Sequence, residues 1–225
     1  MIVRSTALPL LPQRGVVAQV GFGGQLAPAD TFALVGKTGD VPTAVFVVMP
    51  PRPVQVGMLS TIYIGTGTHA TLAVGLDPSG DNLSISMPGM APLSLPIGPM
   101  QGEYARLDSC AQALEEKWSH AASGDAKPTE EPKLRDVRET SWHVKYPENL
   151  LLNRISGLAK LRMTVDEKGR VRDCVAQASI WASRFGEASC DHLREIARFE
   201  PARDAQGKPV SALFRTAALF VIYNW

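Results

Sequence analysis

The chain has 225 residues, 45% of them hydrophobic, with 23 Lys/Arg against 22 Asp/Glu and a formal charge of +1. That length suits one large domain or two small ones, and the apolar content with 19 Gly and 17 Pro is that of a folded chain. A charge this close to zero implies no polyelectrolyte partner. Residues from Ser123 onward carry 17 basic against 14 acidic groups, yet no basic cluster with interleaved aromatics stands there, so nucleic acid is set aside.

No run approaches the roughly 20 apolar residues that cross a bilayer as a helix. The opening Met1 to Pro12 is short and proline-broken for a signal peptide. From Val16 to Gly98 the chain alternates short apolar runs with Gly, Pro and Asp. Phe32–Val35, Ala44–Val48, Leu59–Ile64, Ala70–Val74 and Leu83–Met87 are the clearest. This spacing predicts an antiparallel sandwich or open barrel. Tyr104 to Trp118 then places Leu107, Cys110, Ala111, Leu114 and Trp118 at helical spacing, which predicts an amphipathic helix closing a β-rich domain over residues 1–118.

Residues 119–141 are rich in Ser, Gly, Pro and charge, a composition that reads as a polar linker. The motifs of common chemistries are missing their parts. Gly36-Lys37-Thr38 has Thr31 where a phosphate loop needs its first glycine, and Gly21-Phe22-Gly23-Gly24 lacks the third glycine of a dinucleotide fingerprint. Asp77 to Asp81 has turn chemistry without the closing Glu of a calcium loop. His69, His120, His143 and His192 are scattered, and Cys190 and His192, two apart on a helix, face different ways. No serine sits in a nucleophile elbow. Neither a cofactor nor a metal is expected.

The last third, 142–225, is patterned throughout. Tyr146-Pro147 precedes an apolar helical run at Asn149–Leu152. Two alternating segments, Leu158–Val165 and Arg170–Val175, flank Asp166-Glu167-Lys168-Gly169, where the glycine supplies the positive φ of a tight turn. Ala159, Leu161, Met163 and Val165 form the apolar face of the first strand, with Lys160, Arg162 and Thr164 opposite. A helix over Cys190–Ala197, then Arg198-Phe199-Glu200-Pro201-Ala202, a turn at Asp204–Pro209, and a long strand from Ala212 to Tyr223 complete the chain.

This order resembles the C-terminal domain of TonB-type energy transducers. The resemblance is carried by Tyr146-Pro147, Gly157, Val165-Asp166-x-x-Gly169-Arg170-Val171, Arg198-Phe199-x-Pro201-Ala202 and Gly207-Lys208-Pro209-Val210, in that order and spacing. It implies an α+β fold: a small αββαβ domain with an antiparallel sheet, following the β-rich domain and linker. It also implies a non-enzymatic periplasmic protein that captures an extended segment of an outer-membrane transporter, or of another envelope protein, by β-strand addition. Energy transduction in that family needs an N-terminal membrane helix. Since none is visible, the expectation is either an incomplete or wrongly started N-terminus or a soluble relative. As written, the chain is not expected to couple to an inner-membrane motor.

If the elements pack as the resemblance implies, Cys174 on the second strand and Cys190 on the second helix form a disulfide; two buried thiols in a reducing compartment are the alternative. Cys110 is then left over, either as a buried thiol on the Leu107/Leu114 face or as the partner of a strand absent from the chain. The candidate partner-binding surface is the last strand, with Leu213, Ala217, Leu219, Val221 and Tyr223. Arg203, Lys208 and Arg215 supply electrostatic guidance, and Trp181 is an exposed anchor whose neighbour Arg184 either pairs with it or is solvated. The same strand also reads as core sheet, with Leu213, Leu219 and Val221 on one face. Two other classes of function stand beside the leading one: an envelope scaffold or homodimerisation module on the same fold, and an enzyme in the β-rich half.

Overall fold

The computed structural model describes residues 2–4, 14–22, 31–38, 40–48, 55–56, 60–64, 82–87, 91–98, 101–136 and 144–222. It is a mixed α/β protein built on antiparallel sheets, and it divides into two compact units. One comprises Met1–Pro51 and Thr71–Gln112, the other Arg52–Ala70 and Ala113–Trp225. The expected strand at 70–74 lies outside the described residues.

The first unit is a six-stranded sheet in the order β1 (Ile2–Arg4), β4 (Val41–Val48), β3 (Thr31–Thr38), β2 (Arg14–Phe22), β7 (Asn82–Ser86), β8 (Leu93–Pro96). Every pairing is antiparallel. Ala18, Val20, Ala33, Ala44, Leu83, Ile85 and Met87 make its core, as alternation on β2 and β7 requires. Among the described residues the strands form this one sheet, ending on β1 and β8, where the strand spacing anticipates a sandwich or open barrel.

The helix predicted over 104–118 is longer, α1 (Gln101–Ser123). Its Leu107 and Leu114 are 61% and 41% exposed, and Cys110 is exposed with them, so the buried-thiol expectation for Cys110 does not hold. The stripe is too thin to bury: Ala105, Arg106, Asp108, Ser109 and Ala111–Ala113 around it are exposed as well. The inward residues are Ala122 and the half-covered Glu115, Trp118, Ser119 and Ser123.

The second unit is a five-stranded antiparallel sheet in the order β11 (Val171–Ile180), β10 (Gly157–Val165), β15 (Ala212–Ile222), β6 (Ser60–Ile64), β5 (Gln55–Val56). Two helices belong to it, α2 (Glu148–Leu152) and α3 (Ser183–Ile196). Its core joins Ala159, Leu161, Met163 and Val165 of β10 to Phe185 and Leu193 of α3 and to Phe214, Ala218 and Phe220 of β15. The predicted inward face of β10 is the observed one. Tyr146, Phe185 and Phe220 form an aromatic triangle, with ring centroids 5.7, 5.3 and 4.5 Å apart, and Phe199 packs on Phe214 at 4.8 Å. The Tyr146 hydroxyl donates to the Ile155 carbonyl at 2.7 Å. Burial holds this phenol well above its ordinary range, partly offset by Ser156.

Two turns share one design. Asp166 accepts the Lys168 and Arg170 amides on Oδ1 at 2.9 and 2.8 Å, and Asp204 accepts those of Gln206 and Lys208 at 3.0 and 2.9 Å. Gly169 and Gly207 supply the positive φ, 74° and 76°. At Gly169 a side chain would also strike the Phe199 carbonyl, while the Phe199 amide donates to the Gly169 carbonyl at 2.8 Å. The hairpin tip is thus pinned to β12 (Phe199–Glu200).

The polar stretch 119–141 does not run free where it is described. Ser119–Ser123 complete α1, and β9 (Lys133–Leu134) pairs with β12. The Thr129 and Glu130 amides donate to the Arg203 carbonyl at 2.8 and 3.1 Å. Composition predicts whether a segment buries side chains; these contacts are made by backbone.

Cys174 and Cys190 are bonded, Cα to Cα 5.5 Å, tying β11 to α3 across a separation of 16 residues. Replacing both by Ala is expected to lower stability by about 3 kcal/mol in urea unfolding, from the unfolded-chain entropy that the link removes. Gly169→Ala is expected to cost about 1–3 kcal/mol through forced positive φ, more if Phe199 must move. On the alkaline side the Tyr146 contribution is fully present below the ordinary phenol value of 10.0. Above it the unfolded chain ionises while the folded phenol stays neutral, so stability falls as pH rises. Tyr146→Phe is expected to remove that part of the slope in melts between pH 8 and 11, a range set about the reference phenol value.

Candidate functional site

β15 is built by alternation. Phe214, Ala218 and Phe220 face α3, and Leu213, Leu219 and Val221 face the other way, 8%, 3% and 0% exposed. The strand pairs with β10 from Ala212 to Phe220. On its other side Ala218 to Ile222 pair with β6, Ala218 opposite Ile64 and Ile222 opposite Ser60. The last strand is therefore not an open edge over 218–222: the chain itself fills it.

On the face turned away from α3, Arg162 of β10 lies directly opposite Arg215 of β15. Like charges so placed repel, and α1 resolves the conflict. Glu115 pairs with Arg215 at 2.7 Å, and Trp118 lies under the Arg162 guanidinium at 4.8 Å. One turn on, the Ala122 carbonyl accepts from Arg172 of β11 at 3.4 Å. Positions 115, 118 and 122 fall on one helix stripe and meet β15, β10 and β11 in turn. The sequence reading places Trp118 on the apolar helix stripe and Arg162 on the outer face of its strand, but it brings neither these nor Glu115 and Arg172 to a site. The 115/118/122 spacing that does so is masked by the 107/110/111/114/118 stripe.

The predicted residues fall in three places. Leu213, Ala217, Leu219 and Val221 lie on β15 with buried or half-buried side chains, and Arg215 is engaged by Glu115. Tyr223 lies outside the described residues. Arg203, in β13 (Ala202–Arg203), and Lys208 belong to the Asp204 turn, where the Arg203 guanidinium donates to the Gly207 carbonyl at 2.6 Å. That turn closes the two-residue pairing of β13 with β14 (Pro209–Val210). Beside it, Glu130, Glu131, Lys133, Arg135, Glu200, Pro201 and Arg203 line a mixed-charge cleft of about 260 Å³.

Trp181 is not brought to β15. It follows Ile180, the last residue of β11, with β10 between that strand and β15, roughly 10 Å away at the usual strand spacing. It is half-buried at φ 75°, and its indole N–H is buried with no acceptor among the described residues. Arg184 does not pair with it: Arg184 bonds Glu187 at 3.0 Å, one turn along α3.

The outer edge of β11 is modified along its length. Register shifts leave Arg172 and Gln177 as extra residues, two bulges on one strand. The Cys174 carbonyl accepts from the Arg194 guanidinium at 2.8 Å, beside the disulfide. Among the described residues no three His, Cys, Asp or Glu side chains gather as a metal site, and no helix is long and apolar enough to cross a membrane.

Residues 143–222 match the family model described as Gram-negative bacterial TonB protein C-terminal. The matched segment holds α2, α3, β10, β11 and β15, while β5, β6 and α1 lie outside it. No curated protein and no solved structure matches the chain.

Glu115→Gln and Arg215→Gln are each expected to loosen the second half of α1. Their double-mutant cycle should give a coupling of about 0.5–1 kcal/mol, small because both side chains are partly exposed. A coupling indistinguishable from zero would mean the ion pair does not hold the helix.

Proposed function

We propose that this is a non-enzymatic TonB-family protein of the Gram-negative periplasm that binds an outer-membrane transporter or another envelope protein by β-strand addition along β15. One observation carries the reading. The side of β15 away from β10 accepts an antiparallel strand, because β6 pairs there over Ala218–Ile222. Backbone hydrogen bonds supply the attraction, so an extended segment of another protein fits by the same chemistry. The family match over 143–222 supports a partner from the envelope. Arg203, in the mixed-charge cleft, and Lys208 are both exposed at the end of the domain next to β15 and supply electrostatic guidance toward an acidic face. Energy transduction would combine this same role with coupling through a membrane anchor.

A second reading, an envelope scaffold that self-associates, is favoured by one feature: Val175, Ala176, Gln177 and Ala178 of β11 are exposed and uncharged. It predicts concentration-dependent dimerisation through β11, weakened by Ala176→Lys.

The isotope-labelled full chain is titrated with synthetic peptides from the extended periplasmic segments of outer-membrane transporters. Strand addition predicts saturable amide shifts concentrated on 212–222. A folded chain whose β15 amides do not respond would count against transporter capture and favour the scaffold.

A further inference from the structure

We infer that β6 is an exchangeable resident of the β15 edge, the strand that an incoming partner replaces, and that the partner segment is uncharged, β-branched and antiparallel to β15. This rests on the reading that β15 is the strand a partner pairs with.

Three observations converge. The matched domain supplies β10, β11 and β15, but β6 comes from far upstream, outside 143–222. Its place beside β15 is thus filled in cis by a strand that the domain does not contain. Ser60-Thr61-Ile62-Tyr63-Ile64 carries no charge and is three-fifths β-branched, which suits a pleated position between two strands. On its outer side, among the described residues, β6 is backed by two residues of β5, Gln55 opposite Thr61 and Val56 opposite Ser60. β10, by contrast, is paired along its length on both sides.

Replacing one five-residue ladder by another exchanges like for like in hydrogen bonds, so what holds β6 is chiefly its tethering to the same chain. The resident strand also defines what fits. A charge-free, β-branched segment running opposite to β15 repeats its pattern. The other edge does not offer the same chemistry, because β11 carries two bulges and a carbonyl already engaged by Arg194.

The probe is a fluorescent synthetic peptide of this chain's own residues 58–66, with an Ile62→Lys peptide as control. It is titrated into the full chain and into Thr61→Pro and Ile62→Pro chains, which cannot both keep the β6 ladder. Expected is binding to at least one proline chain about tenfold or more tighter than to the unmodified chain, with the control peptide weak. Equal binding to all chains, or none to either proline chain while both keep their near-ultraviolet dichroism, overturns the inference.

Amide exchange on the unmodified chain needs no variant to fold. Exchangeability predicts β6 amides that open about 100-fold or more faster than those of β10. Exchange of both strands in step overturns it.

Transporter-derived peptides separate this inference from the function it rests on. If the 58–66 peptide binds a proline chain but transporter peptides bind no chain, strand exchange stands and the transporter reading falls. If transporter peptides bind the unmodified chain along β15 as tightly as the proline chains, strand capture stands and the exchangeable resident falls.

Discussion

Every open sheet ends in two strands whose outward N–H and C=O groups have no neighbour, and those groups attract any strand that can reach them. The second unit depends on how it treats these two ends. The matched domain contributes three strands with β10 in the centre, leaving β11 and β15 outermost. β11 is blunted where it stands: Arg172 and Gln177 break the register, and Arg194 takes the Cys174 carbonyl. β15 is treated differently. It stays regular through eleven residues and receives a strand. One edge is blunted and the other is regular and filled.

The rest of the unit keeps those strands in register. Phe185 and Phe220 stack at 4.5 Å across the boundary between α3 and β15, and the disulfide joins the same helix to β11. The helix therefore grips both outer strands of the matched domain from one face. Gly186 lets it approach: a Cβ there would lie 2.5 Å from that of Ala176. On the other face, where Leu213, Leu219 and Val221 are buried too, the grip of α1 is lighter. Glu115, Trp118 and the Ala122 carbonyl each meet one arginine, and only Ala122 among them is buried. An ion pair and a cation–π contact at half-exposed sites are worth about 1 kcal/mol or less apiece, against several for a buried phenylalanine.

How much of this was legible in the sequence depends on the range of the interaction. The β10–β11 hairpin could be read because Asp166 and Gly169 fix a turn within five residues and Leu161, Met163 and Val165 alternate beside it. On β15 alternation offers Leu213, Leu219 and Val221 as the packed face; these are buried, but the face turned to α3 is the other one, Phe214, Ala218 and Phe220. The pairing of β6 with β15 could not be read. Thr61, Ile62 and Ile64 announce a strand, but β-propensity carries no address, and nothing local says in which sheet a strand lies. The segment around Thr129 and Leu134 misled in another way. Its polar side chains argued against burial, correctly, but its backbone docks on Arg203 and Phe199 through bonds that composition does not reveal.

The most informative mismatch is at Arg162 and Arg215. Alternation correctly put Arg162 on the side of β10 away from α3, where a solvated charge needs no comment. Register then sets it opposite Arg215, and two guanidinium groups on adjacent strands disfavour the sheet unless something negative or aromatic intervenes. The chain answers with Glu115 and Trp118, from a helix outside the matched segment. β6, also from outside it, pairs with the same strand that Glu115 engages. The matched domain is thus covered at one edge and on one face by upstream segments, and both coverings converge on β15. The two coverings engage different groups of β15: β6 takes the backbone of 218–222, and Glu115 takes the Arg215 side chain.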